Sequence, residues 1–278
     1  MLTGPFLDRN WMGQNPDYSK SKIVMLGMPF DGTVSYRPGS RFAPEQIRLA
    51  SWGLEEYSPY FDKELAEVNF HDVGDLEFPL GNTYKSLDLI EKNVSEIYKD
   101  GKKVFGIGGE HLVTLPEVKA VSKFYEDLAI IHFDAHTDLR QEYLGEEMSH
   151  SAVIRHISKF VNPKNIKQIG IRSGMKEEWE FMKKHNTLCK EHSQLDELKD
   201  KPVFVTVDLD CLDTSIMPGT GTPETGGMSF NDLISWFKYI KDFNIVGADV
   251  VELAPDYDPT GASTAVATKV IRELLMII

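Results

Sequence analysis

Residues 128–138 read LAIIHFDAHTD, and this stretch decides the fold. Leu128 to Phe133 form a short, nearly continuous apolar run, which predicts a strand buried on both faces. Asp134, His136 and Asp138 then follow at alternate positions. Side chains two apart on an extended chain share a side. Two carboxylates and an imidazole are therefore expected to converge at the strand's C-terminal end. That is the edge at which open parallel α/β sheets bind ligands.

Working outward, residues 202–213 read PVFVTVDLDCLD and repeat the pattern. Val203 to Val207 predict a second buried strand, with Asp208 and Asp210 leaving its end on one face. Two adjacent acids at the end of an apolar strand are unfavourable without cations. A third strand, in KKVFGIGGEH (102–111), runs out at His111. Alone, His111 reads as a helix-start or packing residue; with the other two strand ends it completes a set of six donors. Four carboxylates and two imidazoles match the charge of two divalent cations. Oxygen donors suit Mg²⁺ or Mn²⁺ and imidazole favours transition metals, so Mn²⁺ satisfies both, with Zn²⁺ and Fe²⁺ as alternatives. Two metals about 3.5–4 Å apart hold a bridging water and supply hydroxide at neutral pH. The expected chemistry is hydrolysis without a nucleophilic side chain.

The rest of the chain alternates strand and helix. Strands are expected at 21–28, 67–73, 103–107, 166–171 and 245–252, besides the two above. Helices are expected at 43–51, 84–99, 115–124, 151–160, 177–185, 231–240 and 263–278. In the second helix Leu87, Ile90, Val94 and Ile97 mark one apolar face. Such alternation predicts α/β architecture, a parallel sheet covered on both faces. One domain is expected over 1–278, with residues 1–20 as an irregular N-terminal arm. Periodicity leaves a (β/α)8 barrel open.

The net charge of −13, with no basic block, argues against nucleic acid and anionic membrane as partners. Two cysteines without regular spacing fit a reducing cytoplasm. MLTGPFLDRNWMGQNPDYSK lacks the apolar segment of a secretory leader, and no window reaches transmembrane length. His71 and His132 fall inside strands and read as hydrogen-bonded core or edge histidines. His156, His185 and His192 read as solvated. The loop MPGTGTPETGG (217–227) lacks the Lys-Ser/Thr of a phosphate loop and reads as a rigid wall beside the site. Glu252, ending VGADVVE, is either a strand-end salt bridge or cap, or a functional acid.

GGEH, FDAHTD, SHSAVIRH, VTVDLDCLD, PGTGTPETGG and VELAP resemble, in order, the motifs of the ureohydrolase family, which includes arginases and agmatinases. PFDGTVSYRPGSRFAPEQIR resembles that family's N-terminal loop. The likeness spans residues 21 to 275. It implies a three-layer α/β/α sandwich around an eight-stranded parallel sheet, and hydrolysis of a guanidino compound to an amine and urea with two Mn²⁺. It further implies that His111, Asp134, Asp138 and Asp208 hold one manganese, and that Asp134, His136, Asp208 and Asp210 hold the other. The bridging hydroxide would attack the guanidinium carbon, with Asp138 stabilising the tetrahedral intermediate and passing a proton to the leaving amine. His150 matches the family's proton-shuttle histidine, and Glu252 the acid that orients the guanidinium. Homo-oligomerisation, as trimer or hexamer, is implied as well.

Glu110 and Thr214 depart from residues common in the family, Asp and Pro. Arg140 stands where arginases place an asparagine for the substrate α-carboxylate. Glu142, Glu146 and Glu147 follow it and read either as exposed loop charges or as a field for a cationic tail, which Arg140 partly offsets. PGTGTPETGG looks more like the agmatinase form, which implies agmatine as substrate, with putrescine and urea as products. Arginase, guanidinobutyrase and formiminoglutamase activities are the alternatives.

Overall fold

The computed structural model describes residues 10–278; the first nine residues of the expected arm lie outside the described residues. Eight strands form one sheet in the order β4-β1-β5-β10-β9-β6-β7-β8. They are β1 (Ile23–Met28), β4 (Phe70–Asp75), β5 (Lys103–Gly108), β6 (Ala129–Phe133), β7 (Ile166–Ile169), β8 (Leu188–Cys189), β9 (Pro202–Asp208) and β10 (Asn244–Val251). Every neighbouring pair is parallel. The sheet has two edge strands, β4 and β8, so it is open and the barrel alternative falls. A separate two-stranded hairpin pairs β2 (Tyr57–Ser58) with β3 (Lys63–Glu64).

Alternation along the strands sends side chains to two cores. Met25, Phe105, Ile131 and Val205 face one side, under α1 (Ala43–Ser51), α6 (Phe230–Ile240) and α7 (Ala262–Leu275). Val24, Val104, Ile130 and Phe204 face the other, under α2 (Thr83–Lys99), α3 (Thr114–Val121), α4 (Val153–Ile157) and α5 (Lys176–His185). The result is the three-layer α/β/α sandwich. Each aliphatic side chain so buried contributes about 1.5–3 kcal/mol, and the central strands are apolar on both faces because both are covered.

Several expected boundaries shift, among them the closing helix, expected to reach Ile278, which ends at Leu275. The strand expected at 67–73 is Phe70–Asp75, and the one expected at 166–171 stops at Ile169. The helix expected at 151–160 is only Val153–Ile157, opened by a 3-10 turn at His150–Ala152. The helix expected at 115–124 is Thr114–Val121.

Within the arm, residues 10–20 lie on the body. Trp11 is buried, and its backbone N–H donates to Asp72 Oδ2 at 2.8 Å. The same carboxylate accepts from Arg48 Nε at 2.7 Å, and Arg48 also pairs with Asp75. Burial works against the charge of Arg48, but Asp72 and Asp75 outweigh it and raise its pKa. Truncating one partner of a buried pair strands the other charge. Arg48→Ala is therefore expected to destabilise the protein by about 3–5 kcal/mol, read as a lower denaturant midpoint. An unchanged midpoint would contradict this role.

Candidate metal centre

Three strand ends at the middle of the sheet bring the six expected donors together. His111 follows β5, in a 3-10 turn after the Gly108-Gly109-Glu110 corner. Its Nδ1 lies 3.1 Å from Asp134 Oδ2, 3.0 Å from Asp138 Oδ2 and 3.4 Å from Asp208 Oδ2. Yet this buried nitrogen has no hydrogen-bond partner of proper geometry. Three carboxylate oxygens therefore surround a common point beside it, rather than accept one N–H. On the other ring nitrogen, Nε2 lies 3.0 Å from Thr206 Oγ1. A donor Nε2–H there makes Nδ1 the nitrogen that a cation would take among the acids.

A second cluster adjoins the first. His136 Nδ1 lies 3.0 Å from Asp210 Oδ2 and 3.4 Å from Asp134 Oδ1. The two oxygens of Asp134 thus face different imidazoles, the disposition of a carboxylate shared between two cations. Asp208 turns Oδ2 toward His111 and accepts the Asp210 N–H on Oδ1 at 2.9 Å.

The convergence does not come from strand alternation alone. β6 ends at Phe133, and Asp138 adopts φ +50°. His136 is held instead by a bridge to Ser173. Strand alternation does align His132 with Asp134: His132 Nε2 lies 2.7 Å from Asp134 Oδ2. Gln168 Nε2 faces His132 Nδ1 at 3.2 Å. With the amide as donor, His132 carries its proton on Nε2 and steadies Asp134. His132 is thus the hydrogen-bonded core histidine expected, set directly behind the cluster. By contrast, His156 is buried rather than solvated, with Nε2 2.9 Å from the Glu147 carbonyl.

The electrostatics are those of an acid-rich buried pocket. Burial alone would lower the pKa of His111, but Asp134, Asp138 and Asp208 outweigh it and raise it well above its usual value. Burial likewise opposes the charge of His136, yet Asp210 and Asp134 push it up to about 12. Burial, then repulsion from Asp210 and Asp134, raises Asp208; burial, then repulsion from Asp134, raises Asp210. A cation reverses each of these tendencies at once. The donor set, its burial and the orphaned Nδ1 make this a candidate metal site.

Asp138, His136, His150, Thr222 and Ser35 line a cavity of 340 Å³ beside the cluster. Burial, and then the positive charge of His136 and His111, lowers His150 to about 4. Its backbone N–H donates to Thr33 Oγ1, which in turn bonds Glu110. Glu252, at φ +70° just beyond β10, is buried. Its Oε1 accepts the His111 N–H at 2.8 Å. Burial, then the nearby Glu110 carboxyl, raises its pKa well above normal.

The 217–227 loop does form a wall: Thr222 lines the cavity, and its hydroxyl donates to Asp210 Oδ2 at 3.3 Å. The residue holding that wall was not expected from the sequence. Arg172 donates to the carbonyls of Asp210 (2.7 Å), Glu224 (2.6 Å) and Thr225 (3.0 Å). Its only sequence signal is a lone cation just after a strand.

A family model described as the arginase family matches residues 21–277. The chain belongs to the arginase family. Within it, the agmatinase of Bacillus subtilis strain 168 is 47% identical over 96% of this chain and 95% of its own length. The agmatinase of Bacillus anthracis is 49% identical over 94% and 93%. The agmatine ureohydrolase of Thermoplasma volcanium shares the fold at a TM-score of 0.86, with 31% identity, covering 98% of this chain and 94% of its own. This arginase-family chain is therefore a hydrolase of linear amidines. No helix among the described residues is long and apolar enough to cross a membrane.

Proposed function

We propose that this arginase-family hydrolase is an agmatinase, converting agmatine and water to putrescine and urea. The observation that carries the reading is chain-long identity of 47–49% to bacterial agmatinases. The buried donor set supports it. The residues fit two Mn²⁺: His111, Asp134, Asp138 and Asp208 for one, and Asp134, His136, Asp208 and Asp210 for the other. When bound, such a pair supplies water of lowered pKa at neutral pH.

The chain's own groups do the rest. Glu252 has spent Oε1 on the His111 amide, so Oε2 is the oxygen left to accept a guanidinium N–H. Asp138 opens onto the cavity and would accept, at a carboxylate oxygen, the proton that the attacking water gives up. That proton passes to the amine nitrogen as its bond to the guanidinium carbon breaks. His150, neutral near pH 7, can accept a proton from solvent-side groups through Nε2, which faces Ser35 Oγ at 3.1 Å.

Beyond the first cavity lies a second of 530 Å³, sharing Ser35 and Tyr143 and adding Glu146. All three loop acids are exposed; of them only Glu146 lines a cavity, which supports a cationic tail there. Arg140 also lines the first cavity, stacked over Tyr143 at 5.1 Å. It favours one rival substrate, guanidinobutyrate, whose carboxylate a guanidinium would pair. The test is urea release by protein stripped with a chelator and refilled with Mn²⁺. Agmatine is expected to exceed arginine and guanidinobutyrate by at least ~10-fold in kcat/KM. Arginine or guanidinobutyrate ahead of agmatine by that factor would overturn the assignment. A trimer or hexamer in the cytoplasm belongs to the same reading; the family resemblance supports the assembly, and two buried free cysteines suit the compartment.

Protons and cations compete for the same atoms. His136 at about 12 and a raised His111 hold protons at pH 7 unless a cation displaces them. Adding Mn²⁺ is therefore expected to release protons. Apparent affinity should rise with pH, about tenfold per unit for each proton displaced. Activity should fall on acidification for the same reason, while His150 stays neutral. Proton release in weakly buffered solution checks this, and a flat rate profile from pH 5 to 9 would contradict it.

A further inference from the structure

Beneath the ligands, on the α3 side of the sheet, a polar row crosses the central strands. Register pairs Gly106 of β5 with Asp249 of β10, Asp249 with Thr206 of β9, Thr206 with His132 of β6, and His132 with Gln168 of β7. Asp249, Thr206, His132 and Gln168 are fully buried. His132 and Gln168 support Asp134, as described above. The other half of the row ends at Asp249, next to a second buried acid, Glu117 of α3.

Glu117, on α3, is fully buried, and neither of its carboxyl oxygens has a hydrogen-bond donor. Asp249 Oδ1 lacks one too. Space for the Glu117 carboxyl exists only because residue 106 is glycine: a Cβ there would lie 2.7 Å from Oε1 and 2.8 Å from Oε2. The other oxygen of Asp249, Oδ2, accepts from the Thr114 hydroxyl at 2.6 Å. Thr114 Oγ1 lies 3.4 Å from Thr206 Oγ1, which faces His111 Nε2 at 3.0 Å. Three oxygens of these two buried carboxyls lack a donor, and one proton held between Glu117 and Asp249 Oδ1 satisfies two of them. Burial, and then the neighbouring Asp249, raises Glu117 well above the usual carboxylate range, which makes it the proton's holder.

We propose that Glu117 and Asp249 share one proton, and that the remaining charge on Asp249 orders the hydroxyls of Thr114 and Thr206 so that the Nδ1 lone pair of His111 is presented to the metal. Each donor then points one way: His111 Nε2–H to Thr206, Thr206 to Thr114, Thr114 to Asp249. The two acids are positioning residues that act through Thr114, Thr206 and His111. This deepens the proposed function and rests on His111 being a metal ligand; the shared proton itself does not.

Two measurements on the full-length protein decide it. The infrared difference between wild type and Glu117→Gln, both Mn²⁺-loaded at pH 8, is expected to show a protonated carboxyl band present only in wild type. Absence of that band would overturn the shared proton. Calorimetric titration with Mn²⁺ is expected to show about tenfold weaker binding at one of two sites in Thr114→Val. Thr114→Ser should restore it, and Asp249→Asn should weaken it similarly. Thr114→Val leaves both acids and the packing volume in place, so it stays informative if Asp249→Asn does not fold. Wild-type affinity in Thr114→Val would overturn the positioning role. Failure of wild type itself to bind Mn²⁺ would overturn the metal reading and the positioning role with it, while the infrared band still decides the proton separately.

Discussion

Asp134→Asn is expected to lower kcat/KM for agmatine by more than ~10³-fold, about 4 kcal/mol of transition-state stabilisation, with the fold retained. Asp134 is the carboxylate whose two oxygens face the two imidazoles of the cluster, His111 and His136. An amide keeps one oxygen and turns an NH₂ toward the other. That NH₂ would meet His132 Nε2, which now points its own N–H at Asp134 Oδ2 from 2.7 Å. The variant therefore loses a bridging charge and creates a donor–donor conflict behind it. Removing a group that only supports a metal ligand already lowers affinity by about 10–100-fold, so loss of the shared ligand should exceed that. Metal content read after gel filtration should drop from two Mn²⁺ per chain. Two tightly bound Mn²⁺ with undiminished turnover would exclude Asp134 from the centre.

Gly109→Ala is expected to damage both the fold and the site. At this corner the chain after β5 passes against residues 28–30, with Gly109 N donating to Met28 O at 2.8 Å and Glu110 N to Phe30 O at 2.7 Å. A Cβ on residue 109 would overlap the Phe30 carbonyl oxygen and stand 2.8 Å from that residue's C and N. These are backbone atoms, which cannot swing aside as a side chain can. Gly109 O also accepts the Glu252 N–H at 2.8 Å, so any shift moves His111 and Glu252 together. Overpacking of this kind typically costs about 1–3 kcal/mol, and backbone clashes sit at the upper end. Misplacement by about 1 Å lowers turnover by roughly 10²-fold. Chemical denaturation and steady-state kinetics together check this; a variant with native midpoint and native rate would refute it.

Much of this was legible because the signals were local. Seven of the eight sheet strands were legible, most of them as apolar runs, while β4 (FHDVGD) and β7 (IKQI) are interrupted by polar residues. β8, Leu188–Cys189, is two residues long and carries no periodicity, so only the family resemblance supplied an eighth strand. The six donors were legible as residues at strand ends, but the geometry uniting them was not. Asp138 needs a left-handed backbone, and Asp210 reaches the site through a turn capped by Asp208 Oδ1. Arg172, Thr206 and the Glu117–Asp249 pair escaped notice because their roles depend on partners tens of residues away. His156 was misjudged because helical position says nothing about which neighbour covers it.

The strand order also bears on how the molecule is made. β10, the last strand along the chain, sits between β5 and β9. Until residues 244–251 are synthesised, β4-β1-β5 and β9-β6-β7-β8 have no shared ladder. His111 belongs to the first group, and the other five donors to the second. A ribosome-bound chain can therefore fold two half-sheets, but it cannot join them, and their apolar edges stay open until the final strand slots in. Assembly of the six-donor site is therefore a late step in folding, because it needs the C-terminal strand to join the half that carries His111 to the half that carries the other five.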